Sequence, residues 1–219
     1  EKRPWGTFLE VKTNAADVLS KEILKNKSGN ILISSVTDSY QPLEAKYKIT
    51  RSILEKLNKN FFVSILTKST LVLRDIELFR KLNCEVGLTI ITLDERFAKV
   101  FEPNSSPPEE RLKALKILKD SGIKTYLFFG PLLPLVSDVN LENNINKFLD
   151  AKPDKIYVDK LNIKRRDHWS NIKIVLENKF PELTDKWEQI LFSKNDYYEK
   201  LKEKIIDLSK SVTELEICY

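Results

Sequence analysis

Apolar, strand-like runs and helical patterns alternate along this chain. "GNILISSVTD" precedes "PLEAKYKITRSILEKL", "FFVSILTKS" precedes "LVLRDIELFRKL", and "EVGLTIITLD" precedes "PPEERLKALKILKDSG". "KTYLFFGPLLP" then precedes "NLENNINKFLDA", and "KIYVDKLNI" precedes "HWSNIKIVLENKF". Before these, "TFLEVK" reads as a short strand followed by a helix, "AADVLSKEIL". The repeat comes about every 30 residues, the length of a βαβ unit. Parallel strands need such long crossovers, and strands this rich in Ile, Val, Leu and Phe fit a sheet covered by helices. The pattern predicts an α/β fold, with a barrel or part-barrel and an open doubly wound sheet both compatible. After Pro181 the pattern becomes polar and helical from Thr184 to Lys210. This predicts a main domain over 1–181 and a helical C-terminal extension over 182–219 packed on it.

At 219 residues, 42% hydrophobic and 32% charged, the chain has the composition of a soluble globular protein. Its apolar runs are far too short to span a bilayer, and "EKRPWGTF" is no signal peptide. With two cysteines, Cys84 and Cys218, a disulfide framework is not expected and a cytoplasmic location is. The formal charge of +5 comes from lysines interspersed with acids, the pattern of a solvated surface. "NIKRRDHW" is the tight basic cluster. The sequence contains no Met, so Glu1 is not expected to be a translation start.

In either parallel architecture the ligand site lies at the carboxyl ends of the strands. Those ends carry Ser35, Thr37 and Asp38, then Thr67, Lys68 and Ser69, then Thr89 and Thr92, then Gly130 and Pro131, then Asp159 and Asn162. Side chains two apart share a face, so Ser35 pairs with Thr37, Ser64 with Lys68, and Gly87 with Thr89. The opposite faces hold Leu, Val and Ile, suited to meet helices. The rim therefore offers hydroxyls, a cation and a carboxylate, a set suited to a zwitterionic or ribose-bearing ligand. Lys68 would take a carboxylate and Asp38 an amine or hydroxyl. Nucleotide fingerprints of the GxGxxG and GxxxxGK[ST] kinds are absent, as is any recognisable metal-ligand spacing. His168 lies beyond its strand and is read as a surface or capping residue. Cys84 precedes its strand and is read as a small buried hydrophobe.

The stretch "VGLTIITLDERFAKVFEPNSSPPEERLKALKILKDSGIKTYLFFGPLLP" resembles the radical SAM superfamily, within it the spore photoproduct lyase branch and its relatives. The marks are "FEP", a Ser/Pro-rich turn, "RL", a helix ending "SGIK" and a strand ending "GP". "ISSVTDSYQPLEAKYKITR", "ILTKS", "IYVDKLNI" and "RPWGTFLEVK" extend the likeness over roughly Arg3 to Trp169. The resemblance implies a partial (β/α)6 TIM-like barrel, open on one side. It implies S-adenosylmethionine and a [4Fe-4S] cluster as cofactors, with reductive cleavage yielding a 5'-deoxyadenosyl radical. It also implies an electron donor such as ferredoxin or flavodoxin, and a substrate such as nucleic acid or another macromolecule. Carried over by position, Ser35, Thr37, Asp38, Lys68 and Thr89 are the expected cofactor-binding residues. Among them Lys68 meets the methionine carboxylate and Thr89 the ribose.

Two departures stand beside the likeness. The chain has no CxxxCxxC, so cluster cysteines are expected upstream of Glu1, within about 30–80 further residues, the size of one βα unit and a loop. Ser35 also stands where photoproduct lyases place a hydrogen-donating Cys, so efficient thymine-photoproduct repair is not expected. The competing readings are a degenerate, cluster-less barrel acting as a binding or partner protein, and a phosphate-binding barrel enzyme using Lys68 and helix N-termini.

Overall fold

The structure is a computed structural model, and it describes residues 8–33, 36–163, 166–210 and 214–219, without the side chains of residues 166 and 167. Six strands form one sheet: β1 Gly29–Ile33, β2 Phe61–Thr67, β3 Asn83–Thr89, β4 Lys124–Leu132, β5 Lys155–Lys160 and β6 Leu215–Ile217. All pairings are parallel, and the spatial order is the order in sequence. A doubly wound sheet reverses its strand order at a switch point. Here no reversal occurs, and crossovers that keep one hand, as parallel βαβ units do, put the helices on one side, as around a barrel wall. The fold is thus α/β, a partial (β/α)6 TIM-like barrel with a helical C-terminal region.

Alternation along β2 shows how the layers form. Phe61, Val63, Ile65 and Thr67 are buried, whereas Phe62, Ser64 and Leu66 are half-buried on the concave face. Val86 and Leu88 of β3, Leu127 and Phe129 of β4, and Ile156 and Val158 of β5 continue the buried face. Against it pack Leu112, Leu115 and Leu118 of α6 (Pro108–Asp120) and Ile145 and Phe148 of α7 (Leu141–Asp150). Gly122 closes α6 at φ +80°, a conformation that suits the residue without a Cβ.

The first half of the chain departs from the expected pattern. Phe8–Lys12, most of the "TFLEVK" run, carries no strand, while α1 (Ala15–Lys25) forms as expected. The helix expected over 42–57 is two short ones, α2 (Glu44–Tyr47) and α3 (Ile49–Leu54), broken at Lys48 with φ 51°. The next is a 3-10 turn, Thr70–Asp75, followed by α4 (Ile76–Phe79). Buried charge causes both breaks. Glu44 turns its carboxylate to the Thr50 and Arg51 N–H groups, at 2.9 and 3.2 Å. Asp75 is fully buried and accepts from Arg51, Arg74 and the Tyr40 hydroxyl.

The remaining helices are α5 (Glu95–Phe101), α8 (Arg166–Lys179), α9 (Pro181–Phe192) and α10 (Tyr197–Leu208). Phe97, Trp169, Leu176, Leu183 and Trp187 build a second apolar cluster among α5, α8 and α9, while Leu201 and Ile205 of α10 join the main core. Beyond α10, "LEICY" supplies β6, a strand the sequence reading did not assign; the Cys218 N–H donates to the Val158 carbonyl at 2.8 Å. No helix among the described residues is long and apolar enough to cross a membrane.

The two thiols differ sharply. Burial pushes Cys84 up to about 11; Cys218 is exposed, though partial burial and the Asp159 and Glu216 carboxylates raise it too. One thiol per native chain should therefore react promptly with Ellman's reagent at pH 8, and two after denaturation. Prompt reaction of both in the native protein would contradict the packing at the start of β3.

Candidate functional site

The loop leaving β1 is fastened to the end of β2 by Asp38. Its Oδ1 accepts from the Tyr40 N–H at 2.8 Å and the Thr67 hydroxyl at 2.6 Å, and its Oδ2 accepts from the Lys68 N–H at 2.7 Å. An Asx-type turn of this kind suits Asp, whose short side chain reaches nearby backbone. Asp38 was expected to meet a ligand amine or hydroxyl. In the structure both its oxygens hold the two strand ends together.

The Ser/Pro-rich turn between α5 and α6 closes over the same end. The Ser106 N–H donates to the Lys68 carbonyl at 3.1 Å, and the Ser106 hydroxyl accepts from the Thr70 N–H at 2.9 Å. The result is a cleft of about 490 Å³, lined among others by Thr37, Asp38, Lys68, Ser69, Asn104 and Ser105. Sites for small ligands and cofactors span about 300–1,000 Å³. Leu9, from the strandless segment, also lines the cleft.

Lys68 brings a positive charge to this cleft. Its side chain is 39% exposed, and its Nζ lies 3.1 Å from Oε1 of Glu102, whose own side chain is 3% exposed. Oε2 of Glu102 accepts from Arg111 Nη2 at 2.6 Å. Arg111 is fully buried, and its Nη1 donates to the Thr89 carbonyl at 2.7 Å. A chain of charges thus links the ends of β2 and β3. Thr89 itself is buried and does not line the cleft.

Of the five residues expected at the cofactor, the structure brings Thr37, Asp38 and Lys68 into one cleft, leaves Thr89 buried and off its lining, and leaves Ser35 outside the described residues. Lys164 and Arg165 of the basic cluster lie outside them too. Glu102 and Arg111 were read only as marks of resemblance. Yet Arg111 falls on the apolar stripe of α6 with Leu115 and Leu118, and a charge in such a stripe signals a buried partner.

Below the rim, Tyr126 lies flat over Gly87, where an added Cβ would stand 2.1 Å from the ring. Its hydroxyl donates to the Ile65 carbonyl at 2.9 Å, and burial pushes it up to about 12. Tyr157 meets the ring edge-on at 5.4 Å. These aromatics line the concave face of the sheet.

The profile described as the Radical SAM superfamily matches residues 6–148. The chain belongs to the radical SAM superfamily. Among its relatives, MJ0683 of Methanocaldococcus jannaschii, an uncharacterized protein, is 41% identical over 181 residues, covering 81% of this chain and 66% of that one. ORF301 of Acidianus two-tailed virus, also uncharacterized, is 32% identical over 169 residues, 73% of this chain and 56% of that one. The chain thus spans just under two thirds of one and little more than half of the other. Among solved structures, spore photoproduct lyase complexed with dinucleoside spore photoproduct superposes with TM-score 0.67 at 11% identity, over 96% of this chain and 67% of the lyase. A variant of that lyase with bound AdoMet and the dinucleoside photoproduct gives TM-score 0.62 at 11% identity, over 94% and 66%. These likenesses establish the partial-barrel fold of this radical SAM chain.

The residues of the chain do not fit an iron–sulfur cluster. Three thiolates are needed near one another, and the sequence has two cysteines. Among the described residues no group of three or more His, Cys, Asp or Glu is placed to hold a metal.

Proposed function

We propose that this chain binds S-adenosylmethionine in the cleft at the carboxyl ends of β1 and β2, as part of a radical SAM enzyme. The observation that carries the reading is the half-exposed Lys68 ammonium in a cofactor-sized cleft with Thr37, Ser69, Asn104 and Ser105. An ammonium has three donors, so contact with Glu102 leaves others for a carboxylate. The hydroxyls and the Asn104 amide suit the ammonium and ribose groups of the same ligand. Asp38 then acts through the frame, holding the β1 loop against β2. The concave aromatic face is where a substrate would lie, with access from the open side of the barrel.

Lys68→Ala is expected to weaken S-adenosylmethionine binding about ten- to a hundredfold, the loss of one charge-assisted bond. Calorimetric titration reads this directly, with circular dichroism confirming the fold. Unchanged affinity in a folded variant would remove Lys68 from the site.

A bound cluster would supply the electron that cleaves S-adenosylmethionine to a 5'-deoxyadenosyl radical. Its cysteines, in this reading, lie outside these 219 residues. The open reading frame upstream of Glu1 is expected to encode CxxxCxxC. A frame without it would favour a cluster-less barrel that serves as a binding or partner protein.

A further inference from the structure

We propose that Glu102 is a positioning residue for Lys68 and that, with Arg111, it fixes the ligand-facing ammonium relative to the end of β3. The inference rests on the reading that Lys68 takes the carboxylate of S-adenosylmethionine. The Lys68 backbone is already held on both sides, its N–H by Asp38 and its carbonyl by Ser106. What stays mobile is the long side chain, and its head meets Glu102 Oε1 at 3.1 Å.

Oε1 of Glu102 is shielded from solvent and makes no hydrogen bond, although Oε2 is firmly held by Arg111. It meets the Lys68 ammonium at 3.1 Å instead, a cation that keeps donors to spare for a ligand. A guanidinium is a permanent charge. Without the Glu102 charge, the Arg111 guanidinium would stand uncompensated behind Lys68 and drive the ammonium outward. Lys68 is exposed enough to swing away. The same guanidinium grips the Thr89 carbonyl, so the ammonium is registered against the next strand end.

The test compares binding of S-adenosylmethionine with 5'-methylthioadenosine, which lacks the amino-acid portion. Glu102→Gln removes the charge. Glu102→Asp keeps a charge for Arg111 but withdraws it from Lys68, and it carries the test if the first variant does not fold. Both are expected to lower S-adenosylmethionine affinity about two- to tenfold, the cost of immobilising one long side chain, and to leave methylthioadenosine affinity unchanged. In a Lys68→Ala background they should add nothing, because residues acting through one another are non-additive. Equal losses for both ligands, full additivity with Lys68→Ala, or no loss in a folded Glu102 variant would each overturn the assignment. Unchanged affinity in Lys68→Ala alone would instead overturn the carboxylate reading beneath it, and this inference with it.

Discussion

Arg111→Met is expected to lower the free energy of unfolding by about 3–5 kcal/mol, the usual result of removing one partner from a buried ion pair. Methionine fills much of the same volume, so the loss is electrostatic rather than a cavity. It leaves the Glu102 carboxylate, 3% exposed, with Lys68 as its one neighbouring cation among the described residues, and it takes the donor from the Thr89 carbonyl. Urea denaturation with an unchanged slope measures it. The double variant Arg111→Met/Glu102→Leu should recover much of the loss, since replacing a whole buried pair by apolar groups is often close to neutral. A single-variant loss below about 1 kcal/mol, the range of exposed pairs, would show that water reaches the pair.

Asp75→Asn is the second large effect, about 3 kcal/mol at pH 7. The native carboxylate accepts from Arg51 at 2.6 Å, from Arg74 at 2.7 and 3.0 Å, and from the Tyr40 hydroxyl at 3.0 Å, all at a fully buried side chain. An amide offers donors where acceptors are required. Burial alone would raise the Asp75 carboxyl, but the bonds from Arg74 and Arg51 outweigh it and hold the group below the usual carboxylate range. Its folded value therefore lies below its unfolded one of about 3.9. The stabilisation is complete above that pH and is lost as pH falls through the folded value, because the unfolded chain then binds the proton first. Urea midpoints at pH 7, 4 and 3 should fall more steeply for the native protein than for Asp75→Asn. Parallel curves would mean that Asp75 does not titrate differently on folding.

Strands β1 to β5 and helices α6, α7 and α8 were legible because local pattern and tertiary environment agree there. The runs from "FFVSILT" to "KIYVDK" are apolar on the side that meets helices, and "PPEERLKALKILKDSG" carries its own start and stop. Where the two disagreed, tertiary contacts won. "TFLEVK" has strand composition, but β1 pairs with β2, and Leu9 of that segment lines the cleft instead. "LEICY" is too short to announce itself and becomes β6 because β5 offers it an edge. The candidate site was legible as a rim, through Thr37, Asp38 and Lys68. Its inner support was not, because an ion pair between Glu102 and Arg111 is a fact of three dimensions. Only the misplaced charge on the α6 stripe gave notice of it.

The sequential strand order has a consequence for assembly during synthesis. Each strand from β2 to β5 emerges to find its partner already made, so the sheet grows from one side as the chain lengthens, with short loops to close. The outer side of β5 is the exception. Its partner begins at Leu215, 55 positions after Lys160, and until those residues arrive the outer edge of β5 stands unpaired. A nascent chain of this protein therefore carries, for as long as three helices take to be translated, an unprotected edge of the kind that recruits other strands. Leu215–Ile217 close that edge by pairing in parallel along β5.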